Sequence, residues 1–256
     1  MKQDLLAFAV AAGVFISGLA GLAYRTWYPA NEEEVAETRD LINRLTGLVA
    51  TLSALVLGLL IASANSFHNA QKAGLETVSG RVLELDGVLR RYGPGAHATR
   101  TMLKEVITTS YERVWQGDNN GAPVMPTVAQ ADEQMEGLFT NLNALREEAP
   151  AERKYLLAKA GDLATSISNQ SLQISLQLNN SISWPLMTIL IAWACVLFFG
   201  FGLLARVNLA SVVGLAVGAV SVASAIFLIV ELSSPYSGML RLSPAPVLQT
   251  IDRLGK

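Results

Sequence analysis

Four apolar runs punctuate the chain: Leu5 to Tyr24, Gly47 to Ala64, Pro185 to Ala205 and Leu209 to Leu232. Each holds about 18 to 24 residues and is free of charge, with Glu231 standing only at the end of the fourth. That is close to the ~20 residues a helix needs to cross a ~30 Å hydrocarbon core. Core helices of a water-soluble domain keep a polar face, which these runs lack. The pattern predicts four membrane helices, two on each side of a long polar stretch. The first run is too long for the central region of a secretory signal, although small residues follow Gly21 much as at a cleavage site. It is read as a retained helix.

The polar stretch is also helical in pattern. Beyond the second run, Val78, Val82, Leu85, Val88, Leu89 and Tyr92 recur at steps of three and four until Gly93-Pro94-Gly95 stops the helix. A second helix is expected over about residues 96–116. A turn-rich stretch through GDNNG follows, and then a third helix from Val128 to Pro150. From Pro150 the pattern predicts one long helix running into the third span. One of its faces carries uncharged polar groups such as Asn169, Gln173 and Gln177. That face suits packing between protomers, the lining of a wet vestibule or simple hydration. After Glu231, the turn at Pro235 and Gly238 is expected to lay residues 239–247 back along the bilayer face.

The expected fold is therefore all-α: a four-helix transmembrane protein of two hairpins, with a helical bundle inserted between spans 2 and 3. Its parts are hairpin 1 at 1–64 (spans 5–24 and 47–64), the helical domain at 65–183, hairpin 2 at 184–232 (spans 185–205 and 209–232), and a C-terminal membrane-edge segment at 233–256. Lys and Arg near the spans slightly favour the side that holds the termini and the long polar segment. That side is expected to be the cytoplasm, and the membrane a cell inner membrane.

Composition narrows the function classes. The chain is 51% hydrophobic and 16% charged, with a mean hydropathy of +0.37. Its net charge of −2 is concentrated in no basic patch, so no nucleic-acid partner is expected. Cys195, the single cysteine, excludes an intrachain disulfide and a cysteine-based metal site. His68 and His97 lack neighbouring ligands at metal spacing. No phosphate loop or hydrolase signature occurs, so the chain is read as a non-enzyme without cofactor or metal.

The candidate chemistry lies in the second run. Thr51, Leu55, Gly58, Ala62 and Asn65 form one helical stripe, and Leu59 joins Leu55 as an apolar constriction between wetter ends. Close helix packing is the competing reading of the same small residues. Glu32, Glu33 and Glu34, with Glu231 at the end of span 4, are candidates for a pore mouth or for ion binding. No charge inside a span offers a proton relay, which disfavours a pump.

Four motifs carry a family resemblance. They are TGLVATLSALVLGLLIASA (46–64), RYGPGA (91–96), the W-x-C-V-L-F-F-G-F-G-L-L-A run (193–205) and ELSSPYSG (231–238). Together they resemble the bestrophin-like membrane family over nearly the whole chain. The resemblance implies two membrane hairpins flanking a cytoplasmic helical domain. Through a distant relation to bestrophins, it also implies an oligomeric ion channel with the second span around a central axis. Two departures stand out. Residues 46–64 contain no aromatic residue where bestrophins carry a phenylalanine neck, and Glu231 is the only acid between Asp162 and Asp252, which removes a calcium clasp. The expectation is a homo-oligomeric ion channel, pentameric by analogy with tetramer as the other option, with the bilayer and inorganic ions as its partners. The family suggests an anion; the uncharged stripe and acidic outer loop suggest a cation or weak selectivity. The alternative is a non-conducting membrane scaffold or sensor whose helical domain binds a cytoplasmic partner.

Overall fold

The computed structural model describes residues 2–27, 32–117, 128–179 and 183–254, with side chains at 5–27, 39–117, 135–178 and 183–254. Among these residues all regular structure is helical. The helices are α1 (Lys2–Trp27), α2 (Glu32–Tyr92), α3 (His97–Tyr111), α4 (Val128–Glu148), α5 (Lys154–Asn179), α6 (Trp184–Leu204), α7 (Leu209–Leu232) and α8 (Ala245–Arg253). Two compact units divide the chain, Met1–Phe67 with Ile182–Ser233 and His68–Ser181 with Ser234–Lys256.

The first unit contains the four apolar stretches, each within a helix long and apolar enough to cross a membrane. Here α1 packs along α6 and α7. Val14, Met187 and Ile226 lie at its centre, none more than 1% exposed. Small residues let the backbones of α1 and α6 meet: Gly18 and Gly21 face Phe199, Gly202 and Leu203. Polar groups tie the same seam. The Ser17 hydroxyl donates to the Cys195 carbonyl at 2.7 Å, and Arg25 donates to the carbonyls of Leu204 (3.2 Å) and Ala205. Arg25 thus satisfies two carbonyls at the C-terminal end of α6 that have no partner in their own helix. The turn into α7 is set by Asn208, whose side chain accepts from the Ser211 amide at 2.7 Å as an N-cap.

The second unit is built on the C-terminal part of α2. Leu85 and Leu89 are wholly buried there with Leu138 of α4 and Ala160 and Ala164 of α5. Each such leucine contributes roughly 1.5–3 kcal/mol by leaving water. Gly93 ends α2 at φ 108°, a conformation that costs glycine little. Arg153 then donates to the Tyr92 carbonyl at 2.7 Å and lies over the Tyr92 ring. Asp86 and Arg100 form a paired bridge at 2.7 and 3.0 Å, both largely buried.

One local expectation changes. The helix expected to run from Pro150 into the third span is broken, since α5 ends at Asn179 and Ser183 is non-helical at φ −80°, ψ 84°. Pro185 explains this: in a helix interior its ring would strike the carbonyl four residues back, whereas the first turn tolerates it. The segment after Glu231, expected along the bilayer face, belongs from Ser234 onward to the second unit. Leu242, Val247 and Leu254 are buried there at 4%, 8% and 1% exposure. Met239 and Leu240 of the same segment stay exposed, at 77% and 43%. The turn-rich stretch around GDNNG, residues 118–127, lies outside the described residues.

Candidate functional site

Within the first unit, α2 is the helix whose apolar surface is least used. Of its most apolar window 6% is buried, against 28%, 39% and 28% for α1, α6 and α7. One arc of α2 packs inward through Leu60 and Ala64, flanked by Val49, Val56, Leu57 and Ile61. Gly200 of α6 lies against Thr46 and Ile42 of α2. The other arc, about half the circumference at 100° per residue, is open.

That open arc has two flanks of different chemistry. On one, Leu41, Leu45, Leu48, Leu52, Leu55 and Leu59 alternate steps of four and three, and all are exposed. A repeat of 3.5 residues is the spacing of helices that wind around one another. Beside it run Thr51, Gly58, Ala62 and Asn65, also exposed. The Thr51 hydroxyl donates to the Gly47 carbonyl at 2.9 Å, so it is satisfied within its own helix. A Cβ added at Gly58 would meet nothing within 4 Å. At the N-terminal end of this flank, Asp40 and Arg44 form an exposed i,i+4 ion pair at 3.1 Å. Between Arg44 and Lys72 the helix carries no Asp, Glu, Lys or Arg.

The six residues singled out on span 2 therefore share one solvent-accessible side of α2, with Leu55 and Leu59 each 64% exposed. Of the acidic candidates, Glu231 alone has a described side chain. The side chains of Glu32, Glu33 and Glu34 lie outside the described residues. Glu231, expected at a pore mouth, is 2% exposed on α7, buried in the first unit. Beyond Leu55 and Leu59, the leucine seam lies outside the expected stripe, although its 3.5-residue repeat is visible in the sequence. Among the described residues there is no group of three or more His, Cys, Asp or Glu placed to hold a metal.

Four helices long and apolar enough to cross a membrane, with a second helical unit, define the class: a membrane-type protein that is all-helical among the described residues. The chain belongs to the bestrophin-like domain family, whose model matches residues 10–247. Its fold is similar to crystal structures of variants of a bacterial bestrophin homologue from Klebsiella pneumoniae. One is 14% identical with a TM-score of 0.65, the match covering 96% of each chain. Another is 13% identical with a TM-score of 0.67, covering 99% of this chain and 98% of that one. A further crystal structure, described as a membrane protein, is 14% identical with a TM-score of 0.66 over 96% of each chain. No curated protein matches the sequence. The family is one of channels, in keeping with a chain that is not an enzyme.

Proposed function

We propose that the chain is one subunit of a homo-oligomeric ion channel in which α2 helices surround a central path. The observation that carries this reading is the open arc of α2. A helix facing only lipid has no use for Thr51, Gly58, Ala62 and Asn65 along one flank, since small and polar residues serve close helix approach or a wet surface. The rest of the leucine flank, Leu41, Leu45, Leu48 and Leu52, supplies the contact between neighbouring α2 helices. Leu55 and Leu59 then form an apolar constriction, and Asn65 and Thr51 the wetter positions on either side of it. An uncharged lining with a neutralised Asp40–Arg44 pair at one end discriminates weakly between cations and anions. Family analogy favours five subunits, with the second unit and both termini in the cytoplasm of a cell inner membrane.

The test is reconstitution in planar bilayers under a salt gradient. Discrete currents with a reversal potential near zero are expected. A reversal potential close to that of one ion would overturn the weak selectivity and its sign would name the ion class. Silence from a preparation shown to be oligomeric would overturn the channel reading.

A further inference from the structure

We infer that the second unit holds a binding site for a neutral, single-ring aromatic molecule carrying one hydroxyl or N–H group. A cavity of about 160 Å³ lies between α2, α3, α5 and the C-terminal segment. Its walls are mostly aliphatic, among them Val82, Ile107 and Ile174. An apolar cavity of about 150 Å³ is large enough to take up benzene and stays free of water when nothing polar lines it.

Three aromatic rings make one side. Tyr111 stacks on Trp115 at 5.7 Å and 20°, and Trp115 meets Tyr236 edge-on at 5.7 Å and 79°. Their polar ends are engaged: the Trp115 Nε1 donates to the Leu242 carbonyl at 3.2 Å, and the Tyr236 hydroxyl to Gln71 at 3.4 Å. Trp115 stands on a π-turn, Glu112–Gln116, at the end of α3. Such turns are rare, and they gather at functional sites because the extra residue re-aims side chains.

The hydroxyls on the wall divide into two groups. Ser110 and Thr250 donate back to carbonyls of their own helices at 2.8 and 2.9 Å, the usual habit of such residues within helices. Ser79, Ser171 and Ser175 also line the cavity, and none of them bonds to a described residue. Ser79 is 7% exposed and stands between this cavity and a neighbouring cleft lined by Ala245, Pro246 and Gln249. Three serine hydroxyls on the wall with no bond to a described residue are available to an occupant able to hydrogen-bond them. An aromatic wall, a volume for one ring and a small polar edge together specify the ligand class.

The site does not depend on conduction, so a silent protein and an empty cavity are separate results. The experiment uses the full chain in detergent, titrated with phenol and, as the apolar isostere, toluene, with ligand-observed NMR as the readout. Saturable binding is expected for both, with phenol tighter by at least about fivefold from one net hydrogen bond. Ser79→Ala removes a single oxygen and should erase most of that preference while leaving toluene binding intact. Ser171→Leu fills the space and should abolish both. Equal affinity for the two probes, with Ser79→Ala unchanged, would reduce the cavity to a packing void. No saturable binding of either probe, or uptake that Ser171→Leu leaves unaltered, would also overturn the assignment. If the filled variant does not fold, the Ser79→Ala comparison decides alone.

Discussion

Replacing Gly202 with alanine probes the seam on which the first unit is built. A Cβ at this position points into the Gly18 carbonyl oxygen and comes to 2.8 Å from the Leu22 nitrogen. Ordinary contact begins near 3.4 Å. Both obstacles are backbone atoms, so no side-chain rotation relieves the clash and the two helices must part. Overpacking of this kind costs about 1–3 kcal/mol where side chains can adjust. Parting α1 from α6 also stretches the Ser17 bond to Cys195 and the Arg25 bonds to the end of α6. Each contributes about 1 kcal/mol, the charged one more. The total is roughly 3–5 kcal/mol, which at about 2–4 °C per kcal/mol lowers the melting temperature by about 10 °C. Gly214→Ala is the control, because a Cβ there meets nothing within 4 Å. Thermal unfolding of the detergent-solubilised protein, followed by tryptophan fluorescence, reads both. A Gly202→Ala protein melting within about 2 °C of the parent, or a Gly214→Ala protein as damaged as Gly202→Ala, would refute the reasoning.

Asp86→Ala should destabilise the second unit by about 3–5 kcal/mol, since it strands the Arg100 guanidinium in a largely buried place. The hydrogen bond to Asp86 holds that guanidinium above its usual pKa, so it stays charged. A double-mutant cycle with Arg100→Met checks this, and a coupling near zero would count against it. Tyr236 gives a pH signature. Burial pushes its phenol up from 10.0 to about 12, so the fold favours the neutral form. This contribution is complete below the unfolded value and is lost as pH rises from 10 to about 12. Wild-type stability should fall by up to roughly 2–3 kcal/mol more than that of Tyr236→Phe across that window; parallel curves would remove the claim. Leu55→Ser should raise single-channel conductance at least about twofold by wetting the constriction, and an unchanged conductance would displace the pore-lining stripe.

The sequence alone determines that this chain is helical and where its apolar helices lie. Charge-free runs of membrane length leave few alternatives, and Gly93-Pro94-Gly95 stops a helix whatever surrounds it. The four motifs likewise place the chain in its family. Pro185 carried a legible warning against one helix from Pro150 into the third span, but the continuous apolar pattern concealed it. Which partner each apolar surface meets was not legible. Lipid tails and a protein interior are almost equally apolar, so hydropathy could not tell that Leu242 and Val247 enter a protein core. The same limit applies to α2. Its residues announce a small, polar flank, yet which arc is packed depends on side chains far away in sequence, such as Met187 and Ile226. Glu231 is buried for the same reason. The cavity beside Tyr236 depends on a π-turn in α3 and a C-terminal segment that folds over it, a meeting of residues more than a hundred positions apart. Local pattern sets the helices through short-range backbone and side-chain preferences, and only tertiary packing decides which of their faces stay open.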